Sequence, residues 1–183
     1  MSPSDREYRI VMVCTGNICR SPMAEWLLKH LLPASLESCV SVSSAGTSAL
    51  HGHQAADHAV TAMAQLGIDI RNHRARQLNS NTVQRADLIL AMENSHLQII
   101  ARASTWSKTQ ARLLTEFGPP NRTPDIEDPY GKSLKAYQAC LATLRPCIEG
   151  LIAWLTEHPL SQRQKESHNK KLTLWHPPKP TKS

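Results

Sequence analysis

The chain has 183 residues, 40% hydrophobic and 4% aromatic, with a net charge of +6, which suits a single domain with a proper core and an optional tail. No uninterrupted apolar stretch approaches membrane-spanning length and residues 1–7 lead into no signal-peptide core, so a membrane-embedded protein is not expected and a cytoplasmic location is the default reading. Residues 159–183 hold six basic side chains and one acidic, +5 of the total; the remainder is nearly neutral, which argues against a nucleic-acid-binding face.

In chain order, Tyr8 to Val13 reads as a buried first strand, and Pro22 opens a helix whose inner face carries Met23, Ala24, Leu27, Leu28 and Leu31. Cys39 to Ser44 suits a second strand, Ala55 to Leu66 a helix stopped by Gly67, and Leu88 to Met92 a third strand, with Arg112 to Phe117 as the candidate fourth. Leu134, Tyr137, Leu141, Leu144, Ile148, Leu151 and Leu155 recur at helical spacing, so a long amphipathic helix closes the domain. Pro146 within it removes a backbone donor and is expected to kink or split that helix. The alternation implies one Rossmann-like α/β domain over residues 1–158, a four-stranded parallel sheet with helices on both faces and right-handed crossovers. Residues 159–183, rich in Lys, Pro, Ser and Gln, read as a disordered tail: a solvated extension, or an arm steering toward acidic partners or anionic membrane.

The chemistry concentrates where the first strand meets the first helix, in Cys14-Thr15-Gly16-Asn17-Ile18-Cys19-Arg20-Ser21. Backbone amides of such a loop converge on an anion, and the following helix adds its positive end. Helix N-termini and nearby cations favour the thiolate, so Cys14 reads as a nucleophile. Arg20 offers two parallel N–H bonds to phosphoryl oxygens, which a lysine does not reproduce. Ser21 can point its hydroxyl at the Cys14 sulfur, Gly16 and Asn17 tolerate the φ angles of a tight loop, and Thr15 and Ile18 contribute mainly backbone N–H. A nucleophile needs a proton donor for its leaving group; the best candidate is Asp128, ahead of Pro129, with Asp125 and Glu127 as local competitors.

Val13 to Pro22, with Asp128-Pro129-Tyr130, resembles the low-molecular-weight protein tyrosine phosphatase family. Ser43 to Thr47, Asn72 to Gln77 and Ala86 to Met92 extend the resemblance, which covers about residues 8 to 156. It implies phosphotyrosine hydrolysis through a phosphocysteine on Cys14. Arg20 and the loop amides would hold the oxygens, and Asp128 would act first as acid and then as base. It further implies loop support from Asn17, Ser44 and His73 and a substrate wall from Tyr130, with Leu50 near the rim. Ser44 to Leu50 and Ala91 to His96 look most like the bacterial branch that acts on tyrosine autokinases of polysaccharide export. The expected partner is therefore a tyrosine-phosphorylated protein, a membrane-associated autokinase being the finer reading; no nucleic acid, cofactor or metal is expected, and a monomer is the default.

Other readings stay open. Five cysteines, odd in number and without metal spacing, fit a reducing compartment. Cys19 either closes a protective disulfide with Cys14, as the resemblance suggests, or merely packs. Cys140 and Cys147 lie near the apolar stripe of the last helix and read as core. His73 is a loop support or a surface histidine. His51, His53 and His58 invite a metal guess that their spacing does not support. Two rival functions are a thioredoxin-coupled arsenate reductase, which needs resolving thiols although residues 68 to 110 contain no cysteine, and a catalytically silent phosphotyrosine-binding module.

Overall fold

A computed structural model describes residues 7–103, 110–120 and 123–158; the expected disorder of residues 159–183 lies outside them. Four parallel strands, β1 (Tyr8–Cys14), β2 (Val40–Gly46), β3 (Leu88–Ala91) and β4 (Gln110–Leu113), form one sheet in the order β2-β1-β3-β4. Among the described residues six helices accompany them: α1 (Arg20–Leu31), α2 (Ala34–Glu37), α3 (Asp57–Ala64), α4 (Ser80–Arg85), α5 (Asn94–Ala103) and α6 (Leu134–Glu157).

Successive strand residues point to opposite faces, so one strand feeds two cores. Ile10, Met12 and Cys14 join Val42, Leu88 and Leu90 in a larger core against α1, α3 and α6. Val11 and Val13 join Ala45, Ile89 and Leu113 in a smaller one, closed by Val83 of α4 and Ile100 of α5. Both faces are covered, as the alternating pattern implies. The chain moves from β1 to β2 on one side and then crosses to β3 on the other. Loops leaving β1 and β3 therefore diverge and leave a crevice at the carboxyl ends of the strands.

Two expectations are corrected. The fourth strand is Gln110–Leu113, and Leu114–Phe117 winds into a 3-10 turn. There Glu116 Oε1 accepts from Leu113 N at 2.8 Å and Gly118 N closes onto Thr115 O at 3.0 Å, a local pairing that competes with the sheet ladder. Second, α6 is not split: it runs unbroken through Pro146. A helix-interior proline costs about 3 kcal/mol. Burial of Leu141, Leu144, Ile148, Leu151 and Leu155 on the same helix, at about 1.5–3 kcal/mol per side chain, outweighs it. Ala142, whose carbonyl loses its helical donor, is exposed and can bond to water. By length and composition α6 is also capable of crossing a membrane, but its buried face lies against α1 and α3 in the larger core. The short helices α2 and α4 and the helix α5 have no counterpart in the sequence reading; α4 buries only Val83, too little for a periodic signal.

Candidate active site

β1 ends at Cys14 and α1 begins at Arg20, so residues 14–19 bridge strand to helix beside Gly46, the register partner of Cys14. Five successive carbonyls of this loop are held from outside it. Cys14 O accepts from Thr47 N (2.9 Å), Thr15 O from Ser48 N (3.0 Å), Gly16 O from Leu50 N (3.0 Å), Asn17 O from His73 Nε2 (2.7 Å) and Ile18 O from Ala56 N (2.8 Å). In a trans peptide the amide points opposite to its carbonyl, so the N–H groups of Thr15 through Cys19 turn toward the inside of the curl. Asn17 makes the curl possible by adopting φ 56°, a left-handed conformation that asparagine tolerates better than most residues.

Asn17 is also the hub of a buried side-chain network. Its Nδ2 donates to Ser21 Oγ and Ser44 Oγ, both at 2.8 Å, and its Oδ1 accepts from Arg76 N at 2.9 Å. Each serine oxygen already accepts a proton from Asn17, so its own O–H is directed elsewhere. Ser44 donates to Glu25 Oε2 at 2.5 Å, and Ser21 to Cys14 Sγ at 3.0 Å. Glu25 is closed by Lys29 Nζ at 2.6 Å. His73 is buried rather than on the surface; burial lowers its pKa and keeps the ring neutral, and its single N–H, on Nε2, is donated to Asn17 O. The structure thus brings Asn17, Ser21, Ser44 and His73 together as expected and adds Glu25, which had no motif to announce it.

Arg20 is 1% exposed. Its Nη1 donates to Ile126 O at 3.0 Å and to Glu93, and its Nη2 to Asp128 Oδ2 at 2.6 Å. Burial opposes its charge, but the Glu93 bond and the field of Asp128 raise its pKa further. Burial likewise works against the Glu93 charge, and Arg20 overcomes it, holding that carboxyl below its usual range. Arg20 Nε is buried with no acceptor among the described residues, so the guanidinium retains a donor for an incoming anion.

These groups surround one cavity of about 190 Å³. It is lined by Cys14, Thr15, Gly16, Ile18, Cys19 and Arg20 together with Ser48, Leu50, Asp128 and Tyr130. Leu50 and Tyr130 are exposed there, at 40% and 62%. Of the three acid-loop candidates only Asp128 lines this cavity: Asp125 Oδ1 accepts from Asn94, and Glu127 pairs with Lys132 at 2.5 Å out in solvent. Cys19 Sγ lies 3.2 Å from Tyr137 Oη, and burial pushes its thiol up to about 11 despite that contact. All five cysteines are free. His58 packs edge-on against Tyr137, with ring centroids 5.6 Å apart.

Sequence reasoning missed Glu25, Glu93, His96 and Ser48. Thr15, read as a mainly backbone contributor, also uses its side chain, with Oγ1 3.0 Å from His96 Nε2. Glu93 and His96 lie in a segment singled out only for its resemblance to the bacterial branch.

The profile of the family described as low molecular weight phosphotyrosine protein phosphatase matches residues 9–163. A probable low molecular weight protein-tyrosine-phosphatase EpsP from Ralstonia solanacearum is 43% identical over 149 residues, 80% of this chain and 92% of that one. The crystal structure of the Erwinia amylovora tyrosine phosphatase AmsI superposes with a TM-score of 0.72 at 31% identity, covering 82% of this chain and 94% of the other. The YwlE arginine phosphatase from Geobacillus stearothermophilus superposes with a TM-score of 0.74 at 35% identity, over 84% and 96%. By the profile match and these relatives, and with Cys14, Arg20 and Asp128 meeting at one cavity, the chain belongs to the low molecular weight phosphotyrosine protein phosphatase family.

Proposed function

We propose that the protein hydrolyses phosphotyrosine on proteins through a phosphocysteine on Cys14, and that its partner is a tyrosine autokinase of polysaccharide export. The observation that carries the catalytic reading is the outward anchoring of five consecutive carbonyls, which leaves an inward ring of amides around the Cys14 sulfur. The autokinase reading rests on the resemblance of Ser44 to Leu50 and Ala91 to His96 to the bacterial branch, together with similarity to EpsP and AmsI. Five free thiols suit a reducing compartment, in line with a cytoplasmic location.

In the first step Cys14 Sγ attacks phosphorus, the P–O ester bond breaks, and Asp128 gives its proton to the departing phenolate oxygen. Arg20 Nε and the remaining Nη2 proton grip two phosphoryl oxygens while the loop amides take the rest. In the second step Asp128 accepts a proton from water, water oxygen bonds to phosphorus, and the S–P bond breaks. The Ser21 hydroxyl, turned toward the sulfur by Asn17, stabilises the thiolate as it leaves. A silent binding module would need neither group, and an arsenate reductase would need thiols that residues 68 to 110 do not contain. A phosphoarginine leaving group would present N–H donors in need of acceptors, whereas Leu50 and Tyr130 offer apolar surface suited to an aryl ring.

Turnover of a phosphotyrosine peptide and of p-nitrophenyl phosphate tests the chemistry: Cys14→Ser abolishes it, and Asp128→Asn slows peptide turnover by about 100-fold or more. Normal turnover by Cys14→Ser refutes the mechanism. For the partner, Cys14→Ser serves as a substrate trap in the native lysate; capture of an autokinase with a tyrosine-rich tail supports the finer reading, and capture of unrelated phosphoproteins alone rejects it.

A further inference from the structure

The segment that leaves β3 touches three parts of the site. Glu93 bonds Arg20, Asn94 holds Asp125 of the acid loop through its backbone N (2.8 Å) and Nδ2 (3.0 Å), and His96 Nε2 lies 3.0 Å from Thr15 Oγ1. The last contact is the informative one. His96 is 2% exposed, and its Nδ1 is buried with no partner among the described residues. Burial lowers the pKa of the ring, and the neutral imidazole carries one N–H. A proton on Nδ1 would be a buried donor without an acceptor, which costs more than an unused lone pair. The proton therefore sits on Nε2 and is donated to Thr15 Oγ1. A threonine oxygen that accepts this bond has its own proton to give, and Thr15 lines the cavity next to Cys14.

Building on the phosphatase reading, we propose that the Thr15 hydroxyl contacts substrate, donating a hydrogen bond to a phosphoryl oxygen, and that His96 is the positioning residue that fixes its direction. The loop then offers one side-chain donor beside its amides and Arg20. His96 acts from α5, 81 residues away in sequence, so the smaller core carries α5 up to the Thr15 side chain.

The test uses the full chain with p-nitrophenyl phosphate as substrate and inorganic phosphate as competitive inhibitor. Thr15→Val keeps the branched shape and removes the donor; a hydrogen bond to a charged oxygen corresponds to a loss of about 10- to 100-fold in kcat/KM with a matching weakening of phosphate inhibition. Thr15→Ser should recover most of both. His96→Ala, which frees the hydroxyl to rotate, should lose about 3- to 10-fold, and His96→Gln, whose amide can donate from the same place, should restore it. The double variant Thr15→Val/His96→Ala should be no worse than Thr15→Val alone. Wild-type phosphate inhibition in Thr15→Val overturns the proposal, and so does a His96→Ala loss that persists in full in the Thr15→Val background, because that loss would come from α5 packing. Absence of turnover by the wild type would remove the phosphatase reading and this proposal together, whereas wild-type turnover dependent on Cys14 but indifferent to Thr15→Val removes this proposal alone.

Discussion

Replacing Gly46 with alanine should disable the enzyme without touching any group that reacts. Gly46 ends β2 beside Cys14, and a Cβ there would stand 2.4 Å from Thr15 O, 3.0 Å from Asn17 N and 3.1 Å from the Ala49 Cα. All three are backbone atoms, and Thr15 O is anchored by Ser48 N. Gly46 is not among the positive-φ residues, so alanine is not strained by its own backbone at this position and the effect is steric. Recovering an ordinary van der Waals separation requires Thr15 O to retreat by about 1 Å, and it carries the phosphate loop with it. Overpacking of this kind costs about 1–3 kcal/mol, with each kcal/mol lowering Tm by roughly 2–4 °C in a domain of this size. Activity should fall further than stability, because a misplacement of about 1 Å at a reacting centre is worth about 100-fold in rate. Tm and kcat/KM for p-nitrophenyl phosphate, measured below the melting transition, separate the two effects. A folded Gly46→Ala enzyme with kcat/KM within about threefold of wild type would refute the claim that β2 confines the loop.

Gly150→Ala provides the contrast: its Cβ would lie 1.9 Å from Phe117 O, so Tm falls although alanine is the better helix former by about 1 kcal/mol. Neither residue lines the cavity, and kcat/KM of the folded fraction should be unchanged. Arg20→Lys should cost more than about 100-fold in kcat/KM, since one ammonium cannot span Glu93, Ile126 O, Asp128 and a phosphoryl group at once; turnover within tenfold of wild type, about 1.4 kcal/mol, would contradict this. Urea titrations against pH should show two windows. His73 and His96 have pKa values lowered by burial, so the unfolded chain takes up their protons first. Their contribution is complete above about pH 6.5 and declines below it by up to about 1.4 kcal/mol per pH unit for each ring. Glu93, held low by Arg20 against the cost of burial, contributes stability that is lost only as pH falls below about 4.5. His73→Gln should flatten the slope between about pH 6.5 and 5; an unchanged slope would mean that His73 is not held neutral in the folded protein.

Much of the site was legible because its chemistry is local. Cys14 through Ser21 spans the end of a strand, one loop and the start of a helix, and residues that form an anion cradle within eight positions announce themselves by type and spacing. The strands and α1 were legible for the same reason, since their apolar periodicity is a property of short segments. Where local and tertiary terms compete, the reading slipped: Leu114–Phe117 looked like strand and became a 3-10 turn, and Pro146 looked like a break in a helix whose buried leucines hold it together.

The amino-acid sequence alone determined the candidate nucleophile loop, the α/β class and, through the resemblance carried by Val13 to Pro22 with Asp128-Pro129-Tyr130, the reaction. Tertiary structure decided which acid-loop carboxylate meets Arg20, that Glu25 closes the Asn17 network, and that Glu93 and His96 reach Arg20 and Thr15. These contacts of the cradle with the acid loop and the β3 segment join residues 73 to 108 positions apart. They exist because the order β2-β1-β3-β4 sets β3 beside β1, and strand order is fixed by how two cores pack across the sheet, a property no short stretch of chain possesses.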